Sequence, residues 1–570
     1  MPDHLSWTSQ LLRAFYAAGI SHIYISPGSR STPLVLAAAI HPGFEKYVVL
    51  DERSAAFQAL GNAKATGLPA LLICTSGTAL AHYHPAVIEA KYSGVPMIIL
   101  SADRPPYLRG TGSSQTIDQL KIYGDSVISF HEAGEPVHRP EDYRRLILLA
   151  RQAVAISISN AGPVHINLPF RKPFEPSKES LNHEEGKNKS QVSDQKNNRK
   201  SRLKNNPITT PGEEVTEIIN NSRRPLIVAG PDESWRALRQ TAESLSTKLN
   251  APVIAEPGSH LDMPANVLNR YDILLNSRFL KNSLKPDLII RIGGHPFSKS
   301  LQMFEAENIE TPVIQLMSRH NNQDNFSHTG YCIELHDNGL NLEGLKKKHT
   351  SWIKKWHAYN KHAEKLLNDT IIQSSSLTDG HVFHFFSKLF LSDWDVISSN
   401  SFTIRDLALF APSSCGISRT FVNRGAAGID GVLSTGIGMN HANRKRTAIL
   451  IGDLAFLHDS NALLSLKDTD QIVLIIVINN NGGNIFRMLP VYKESKYYHQ
   501  YFEAPQNTDL ANLARAHGLP YLLIDSKKEL SETDFSGIPA EQKLLIECKT
   551  DPDASMEIRK LLWNSNLSDD

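Results

Sequence analysis

Two β-branched runs late in the chain leave few folds open. The first, 447–453, reads Thr-Ala-Ile-Leu-Ile-Gly-Asp; the second, 472–478, reads Ile-Val-Leu-Ile-Ile-Val-Ile and ends in Asn479-Asn-Asn-Gly-Gly483. Apolar runs without alternation belong to strands buried on both faces, and the helix-length segment 454–466 between them supplies a crossover. The pair predicts a parallel βαβ unit. Asp453 and Asn480 then leave the carboxyl ends of neighbouring strands, where open α/β sheets bind ligands. A carboxylate, an amide oxygen and a freed backbone carbonyl at Gly482 form a hard oxygen donor set, with positions left for water and a diphosphate around Mg²⁺. Gly482 and Gly483 let the chain turn sharply beside such an ion. An ordinary strand end with a polar turn has the same local pattern, so the rest of the chain has to decide.

The first third repeats the α/β alternation. Strand 23–26 runs into Pro27-Gly-Ser-Arg-Ser-Thr-Pro33 and a helix over 34–40. Ser31 or Thr32 can cap that helix and Pro33 suits its first turn, so the loop, with Arg30 beside it, favours anions. Strand 47–50 leads through Asp51-Glu-Arg53 into a small-residue helix, 54–66. A carboxylate placed like Glu52 is ordinarily a helix-dipole partner. Strand 68–75, the turn Thr75-Ser-Gly-Thr78 and a helix over 79–92 follow. Strand 96–100 ends in Ser101-Ala-Asp-Arg-Pro-Pro106, where the double proline fixes the loop and leaves Arg104 at the strand's carboxyl end. A polar loop, 110–115, and a strand, 162–169, close the set. His82 and His84, two apart on a helical pattern, face different directions and read as packing or surface residues.

Composition sets the boundaries. Residues 177–207 are rich in Lys, Asn, Ser, Glu and Gln and read as a disordered linker. It separates a first domain, 1–176, from a middle domain, 208–350, with strands at 225–229, 252–255, 288–292 and 312–316. Gly230-Pro231 and Gly293-Gly294 sit at strand ends there, but no Gly-x-Gly-x-x-Gly fingerprint is present, so no cofactor is expected in that domain. Helical sequence over 345–368 leads to a third domain, 377–570. The expected fold class is α/β, with three doubly wound parallel-sheet domains. Sixty basic and 59 acidic residues give a formal net charge of +1, which gives no support for a nucleic-acid partner. No apolar run is long enough to span a bilayer and no basic-then-apolar segment opens the chain, so the expected location is cytoplasmic. Cys74, Cys332, Cys415 and Cys548 have no metal or redox spacing.

Gly452-Asp453 followed at a distance by Asn479-Asn480 resembles the thiamine-diphosphate motif, with Leu454 where that motif usually has Gly. Two α/β domains flanking a third resemble the layout of the thiamine-diphosphate decarboxylase superfamily. Ile25-Ser-Pro-Gly-Ser-Arg-Ser-Thr-Pro-Leu34, Asp51-Glu-Arg53, Thr75-Ser-Gly-Thr78, Ala102-Asp-Arg-Pro-Pro106, Asn423-Arg-Gly-Ala-Ala-Gly-Ile-Asp-Gly431 and Asn479-Asn-Asn-Gly-Gly-Asn-Ile-Phe486 are similar to its menaquinone-pathway branch, where Leu is normal after Gly-Asp. The middle domain matches only loosely.

The resemblance implies a transferase that uses thiamine diphosphate with Mg²⁺ or Mn²⁺. It implies decarboxylation of 2-oxoglutarate and 1,4-addition of the succinyl unit to isochorismate. It also implies a homodimer or homotetramer, with the first domain of one chain facing the third of another. On this resemblance Glu52 hydrogen-bonds the cofactor's pyrimidine N1′ and is catalytic, which replaces its reading as a dipole partner. Thr78, Ile429, Gly452, Asp453, Leu454 and Asn480 join Glu52 at the cofactor, and Asp453, Asn480 and Gly482 hold the metal. Ser29, Arg30, Arg104 and Gln115 face isochorismate. Ser401 and Arg405 hold the distal carboxylate from 2-oxoglutarate, and Arg424 lies close to both. Ile429 resembles a wedge that bends the cofactor, and Ile485 and Phe486 wall the reacting centre; core packing is an equal alternative for all three. Lys299 sits where the family has a basic patch, but the neighbouring position, Arg in some relatives, is Ser300. An acetolactate-synthase-like enzyme or an oxo-acid decarboxylase is the runner-up, and a non-catalytic regulator is a third reading. Arg30, Arg104 and Arg405 favour dianionic substrates, since forked guanidinium groups suit carboxylates.

Overall fold

The β-branched runs do form parallel strands, and they recur in three sheets of six strands each. The structure is a computed structural model. It describes residues 4–196, 208–233, 235–261, 266–318, 329–336, 338–348, 351–390, 393–412, 419–493, 495–535, 538–539 and 542–565.

The first and third sheets share one strand order. Across the first lie Glu45–Val48, His22–Ser26, Leu71–Cys74, Met97–Asp103, Pro163–Pro169 and Ser129–Glu132. Across the third lie Thr420–Val422, Trp394–Ser398, Arg446–Gly452, Val473–Asn479, Lys543–Lys549 and Tyr521–Ile524. In each, the order reverses beside the sheet's first strand: between His22–Ser26 and Leu71–Cys74, and between Trp394–Ser398 and Arg446–Gly452. Such a switch point opens a crevice at the carboxyl ends. The middle sheet runs Thr329–Glu334, Val313–Met317, Leu288–Ile292, Pro225–Ala229, Val253–Ala255, Val267–Leu268. Its order reverses between Pro225–Ala229 and Leu288–Ile292.

Alternation explains why the strands are apolar throughout. In the first sheet Ile23, Ile25, Ile73 and Leu100 enter one core, with Trp7, Leu11 and Leu146. Tyr24, Leu72, Met97 and Ile99 enter another, with Phe57, Leu60 and Val87. Both faces of the sheet are therefore covered, as parallel sheets require. The middle sheet divides in the same way, Ile227, Ile290 and Ile314 on one side and Leu226, Val228 and Ile289 on the other.

The chain divides into two units. One comprises Met1–Lys204, Gly425–Arg444 and Asp459–Asp470 and holds the first sheet; the other comprises Asn205–Arg424, Lys445–His458 and Gln471–Asp570 and holds the second and third. In the first unit the helix Val432–Asn443 lies on the helix Glu52–Thr66. A Cβ at Gly61 would stand 1.9 Å from the Thr435 carbonyl oxygen, and one at Gly438 would stand 1.9 Å from that of Gln58. Only glycine permits so close a crossing.

Several expectations need correction. The segment read as a disordered linker is helical over Lys178–Lys196. Arg13 donates to Glu184 at 2.8 Å and to Asn188 at 3.1 Å, and Leu181 packs on the first core. These anchors are few and mostly polar, so composition does not reveal them. Residues 197–207 lie outside the described residues, as does Cys415. The helix expected over 79–92 is two, Ala79–His82 and His84–Ser93, because Pro85 must sit in a first turn. The crossover expected over 454–466 is an α-helix, Asp453–His458, followed by a 3₁₀ segment, Ser460–Asp468. The strand expected over 47–50 lies at Glu45–Val48.

Candidate active site

At the carboxyl edge of the first sheet the expected residues occupy adjoining loops. Gly28 has an extended backbone, so it is not needed for its torsion; a Cβ there would stand 2.5 Å from the Thr75 Cβ. Its absence lets the Ser29–Arg30 turn lie against the turn that carries Thr78. Arg30 is buried, donates from Nη1 to the Phe170 carbonyl at 2.6 Å, and stacks 4.5 Å above the Phe174 ring. Burial, and then the neighbouring Arg104, pull its pKa down to about 10. Arg104 donates from Nη1 to the Ser76 hydroxyl and from Nη2 to the Ser114 carbonyl at 2.8 Å. The Asp103 carboxylate acts on both guanidinium groups and offsets part of their charge, and the remainder favours an anion. Ser29, Thr78 and Gln115 are exposed, and Gln115 takes a left-handed φ of 51° beside Gly77. Glu52 is half-buried at the first position of its helix. The cap is Asp51, which accepts from the Arg53 amide at 2.9 Å.

Around the switch point of the third sheet the strand ends are tied together. Ser399 accepts from the Gly452 amide at 3.3 Å. Ser401 has φ 68° and ψ −133°. A side chain held in so sparsely populated a region costs about 1–3 kcal/mol, and such strain gathers at functional sites. Arg405, one turn into the helix Phe402–Phe410, donates from Nη1 to the Ser401 carbonyl at 2.6 Å, and burial lowers its pKa. Arg424 donates to the Asn400 amide oxygen at 3.0 Å and lies 5.5 Å over Phe297. Lys299 is exposed, whereas Ser300 is buried and donates its hydroxyl to Asp272.

Asp453, Asn480 and Gly482 come together. Asp453 is buried and accepts from the Leu454 amide at 2.9 Å, and the Gly482 amide is near enough to hold the carboxyl's pKa down against burial. Asn484 donates its amide to the Asn480 backbone carbonyl at 2.6 Å and to Asn480 Oδ1 at 3.0 Å. Gly482 has φ 125°, and a Cβ there would stand 2.1 Å from the Glu503 carbonyl oxygen, so the turn accepts only glycine. Its carbonyl is not free as expected: the Asn484 backbone amide donates to it at 2.8 Å and the Asn484 side-chain amide at 3.4 Å. Burial pushes the Asp453 carboxyl up to about 7. Among the described residues no cation bonds to it. A buried carboxylate of this kind, beside two neutral oxygens, fits a hard divalent cation. Phe486 and Ile485 are half-buried, Phe486 edge-on to Phe502 at 5.6 Å. Ile429 is 42% exposed, so it is no core residue of this chain.

Sequence reading missed the buried side chains that hold these loops. Gln119 accepts from the Gly77 amide at 3.0 Å and donates to Asn167 at 2.9 Å and to the Ala102 carbonyl at 3.2 Å, tying the Thr78 turn to the strand before Arg104. Asp379 accepts from Asn480 and from Arg559. Glu256 is buried at a strand end of the middle sheet, accepts from the Phe297 and Ser298 amides at 2.8 Å each, and is pushed up by burial to about 8. A lone polar residue next to a helix start or strand end carries no sequence signal. Only the density of polar residues inside apolar surroundings hints at it.

Comparison with known proteins defines the class first. Residues 6–122 match the N-terminal TPP binding domain of thiamine pyrophosphate enzymes, and residues 412–548 match their C-terminal TPP binding domain. The two matched segments contain the loops of Arg30, Glu52, Thr78 and Arg104 and the cluster of Asp453 and Asn480. Similarity to whole proteins is more specific. The chain is 32% identical to a 2-succinyl-5-enolpyruvyl-6-hydroxy-3-cyclohexene-1-carboxylate synthase from Oceanobacillus iheyensis, over 96% of this chain and 95% of that one. It is 34% identical to the synthase of Crocosphaera subtropica over 96% and 94%, and 33% identical to that of Haloarcula marismortui over 98% and 97%. The chain belongs to the 2-succinyl-5-enolpyruvyl-6-hydroxy-3-cyclohexene-1-carboxylate synthase family.

Proposed function

We propose that the chain joins 2-oxoglutarate to isochorismate with loss of CO₂, giving 2-succinyl-5-enolpyruvyl-6-hydroxy-3-cyclohexene-1-carboxylate in menaquinone biosynthesis. One observation carries the reading: Asp453, Asn480 and Gly482 converge beside the third sheet's switch point, in a chain that matches these synthases from end to end. When bound, thiamine diphosphate supplies the electron sink for loss of CO₂ from a 2-oxo acid.

The chain's own residues do the rest. In this reading Asp453, Asn480 and the Gly482 carbonyl hold Mg²⁺ or Mn²⁺ and so anchor the diphosphate. Glu52 holds a proton at the cofactor's N1′. Thr78, Gly452 and Leu454 line the cofactor, and Ile429 wedges against it. Arg405 and the Ser401 hydroxyl grip the distal carboxylate of 2-oxoglutarate. Arg30 and Arg104, with Ser29 and Gln115, orient the carboxylates of isochorismate, and Arg424 serves both substrates. Ile485 and Phe486 exclude water. The active form is a homodimer or homotetramer. Among the described residues no helix is long and apolar enough to cross a membrane, and the reading places the reaction in the cytoplasm.

The test is turnover with thiamine diphosphate and Mg²⁺. Isochorismate should disappear only when 2-oxoglutarate is present, and pyruvate should not replace it. Equal turnover with pyruvate would instead support an acetolactate-synthase-like activity.

A further inference from the structure

Asp379 is 1% exposed at the start of the helix Asp379–Phe386. Both its carboxylate oxygens are occupied. Oδ1 accepts from the Thr550 hydroxyl at 2.6 Å, and Oδ2 accepts from Arg559 Nη2 at 2.6 Å and from Asn480 Nδ2 at 3.3 Å. Its own amide donates to the Ser555 hydroxyl at 3.0 Å. The carboxylate is thus held from two sides, by Thr550 and by Arg559 of the helix Pro552–Trp563, before it meets Asn480.

The chemistry of that contact fixes a direction. A carboxylate only accepts, so it takes the NH₂ end of the Asn480 amide and turns the oxygen end away. Asn480 Oδ1 is thereby left on the side of Asn484 and the Gly482 turn, where the donor set lies. Asn484 Nδ2, which also donates to the Asn480 carbonyl at 2.6 Å, selects the same oxygen end from the other side, so Asp379 and Asn484 set the amide together.

The network continues past Arg559, which is also 1% exposed. Its Nε donates to Asp406 Oδ1 at 2.8 Å, its Nη2 donates to Asp406 Oδ2 as well, and its guanidinium lies 4.0 Å over the Phe402 ring. Phe402 and Asp406 belong to the helix headed by Ser401 that carries Arg405. One buried path therefore runs from the Asn480 amide to the helix presenting the strained Ser401 and its partner Arg405. Two carboxylates share the Arg559 guanidinium, and Arg405 stands as a second cation beside Asp406.

We propose that Asp379 is a positioning residue that, with Asn484, sets the amide of Asn480 and, through Arg559 and Asp406, couples the metal-binding turn to the helix of Ser401 and Arg405. This rests on the reading above, in which Asn480 is a metal ligand and Arg405 grips 2-oxoglutarate. Cation binding and substrate grip then share one buried support.

The test uses the full-length chain, with Asp379→Asn, Thr550→Val and Asp406→Asn. Three quantities are read: the Mg²⁺ concentration for half-maximal thiamine-diphosphate binding by calorimetry, KM for 2-oxoglutarate, and Tm. Asp379→Asn should raise the Mg²⁺ requirement by about ten-fold or more, the size typical of an outer-shell partner, and should raise KM with it. Thr550→Val leaves Arg559 in place and should shift both in the same direction by a smaller factor. It keeps the proposal testable if Asp379→Asn does not fold. Asp406→Asn should raise KM more than the Mg²⁺ requirement. A lowered Tm with the Mg²⁺ requirement and KM unchanged would make the network merely structural and overturn the proposal. Wild-type protein that binds thiamine diphosphate without regard to Mg²⁺ would overturn the metal reading itself, and this inference with it.

Discussion

At the scale of single residues, Ser401 and Glu52 carry the sharpest expectations. Ser401 sits at φ 68°, a torsion that glycine adopts freely. Ser401→Gly should relieve strain of about 1–3 kcal/mol, partly offset by the freer unfolded chain, for a net gain near 1 kcal/mol in urea unfolding. The same change removes a hydroxyl from the proposed carboxylate grip, so kcat/KM for 2-oxoglutarate should fall several-fold. A glycine variant less stable than wild type would mean that the torsion is unstrained in its setting. Glu52 is released from capping by Asp51, which takes the Arg53 amide. Glu52→Gln should therefore fold and bind thiamine diphosphate normally while turnover falls by about a hundred-fold or more, the loss expected when a proton donor becomes an amide of the same size. Turnover within a few-fold of wild type would remove Glu52 from the chemistry.

At the scale of elements, the two arginine sets belong to different supports. Arg30 and Arg104 are on loops of the first sheet, close enough for one to depress the other's pKa. Arg405 is on the helix Phe402–Phe410 of the third. Losing a charged hydrogen bond costs about 1.5–3 kcal/mol, or ten- to a hundred-fold in rate. Arg405→Ala should slow CO₂ release from 2-oxoglutarate alone. Arg30→Ala and Arg104→Ala should leave that release intact and slow only the consumption of isochorismate. Single-turnover CO₂ measurements with and without isochorismate separate the two, and the opposite pattern would reverse the assignment.

Much of this arrangement is legible in the chain, because each set lies at the end of a continuous apolar run and carries its own short motif. Strands 225–229 and 288–292 fall where the apolar residues say. The helix Lys178–Lys196 is illegible because Arg13, Glu184 and Asn188, distant in sequence, hold it. Asp379, Gln119 and Glu256 are hidden for the same reason: their partners come from other elements, and no local pattern marks them.

At the scale of the whole molecule, buried ionisable groups set how stability depends on pH. His441 stacks on Tyr47 at 3.8 Å, and burial holds its pKa down at about 3. An unfolded histidine titrates near 6.5, so between these values the unfolded chain binds one more proton. Stability is fully present above about 6.5 and is lost on acidification by about 1.4 kcal/mol per pH unit. His441→Phe keeps the stack and removes the proton site. The variant should gain on wild type by that slope between pH 6 and 4, measured by urea unfolding. Asp459, pushed up by burial to about 7, contributes with the opposite sign but cancels in the difference; a difference independent of pH would mean that His441 is charged in the fold. The central claim concerns the reaction, and product mass tests it most directly. With uniformly ¹³C-labelled 2-oxoglutarate, isochorismate, thiamine diphosphate and Mg²⁺, the account predicts a product carrying four of the five labelled carbons on the isochorismate skeleton, with the fifth released as CO₂. Labelled CO₂ released while isochorismate stays unlabelled would make the chain a simple oxo-acid decarboxylase and contradict the account.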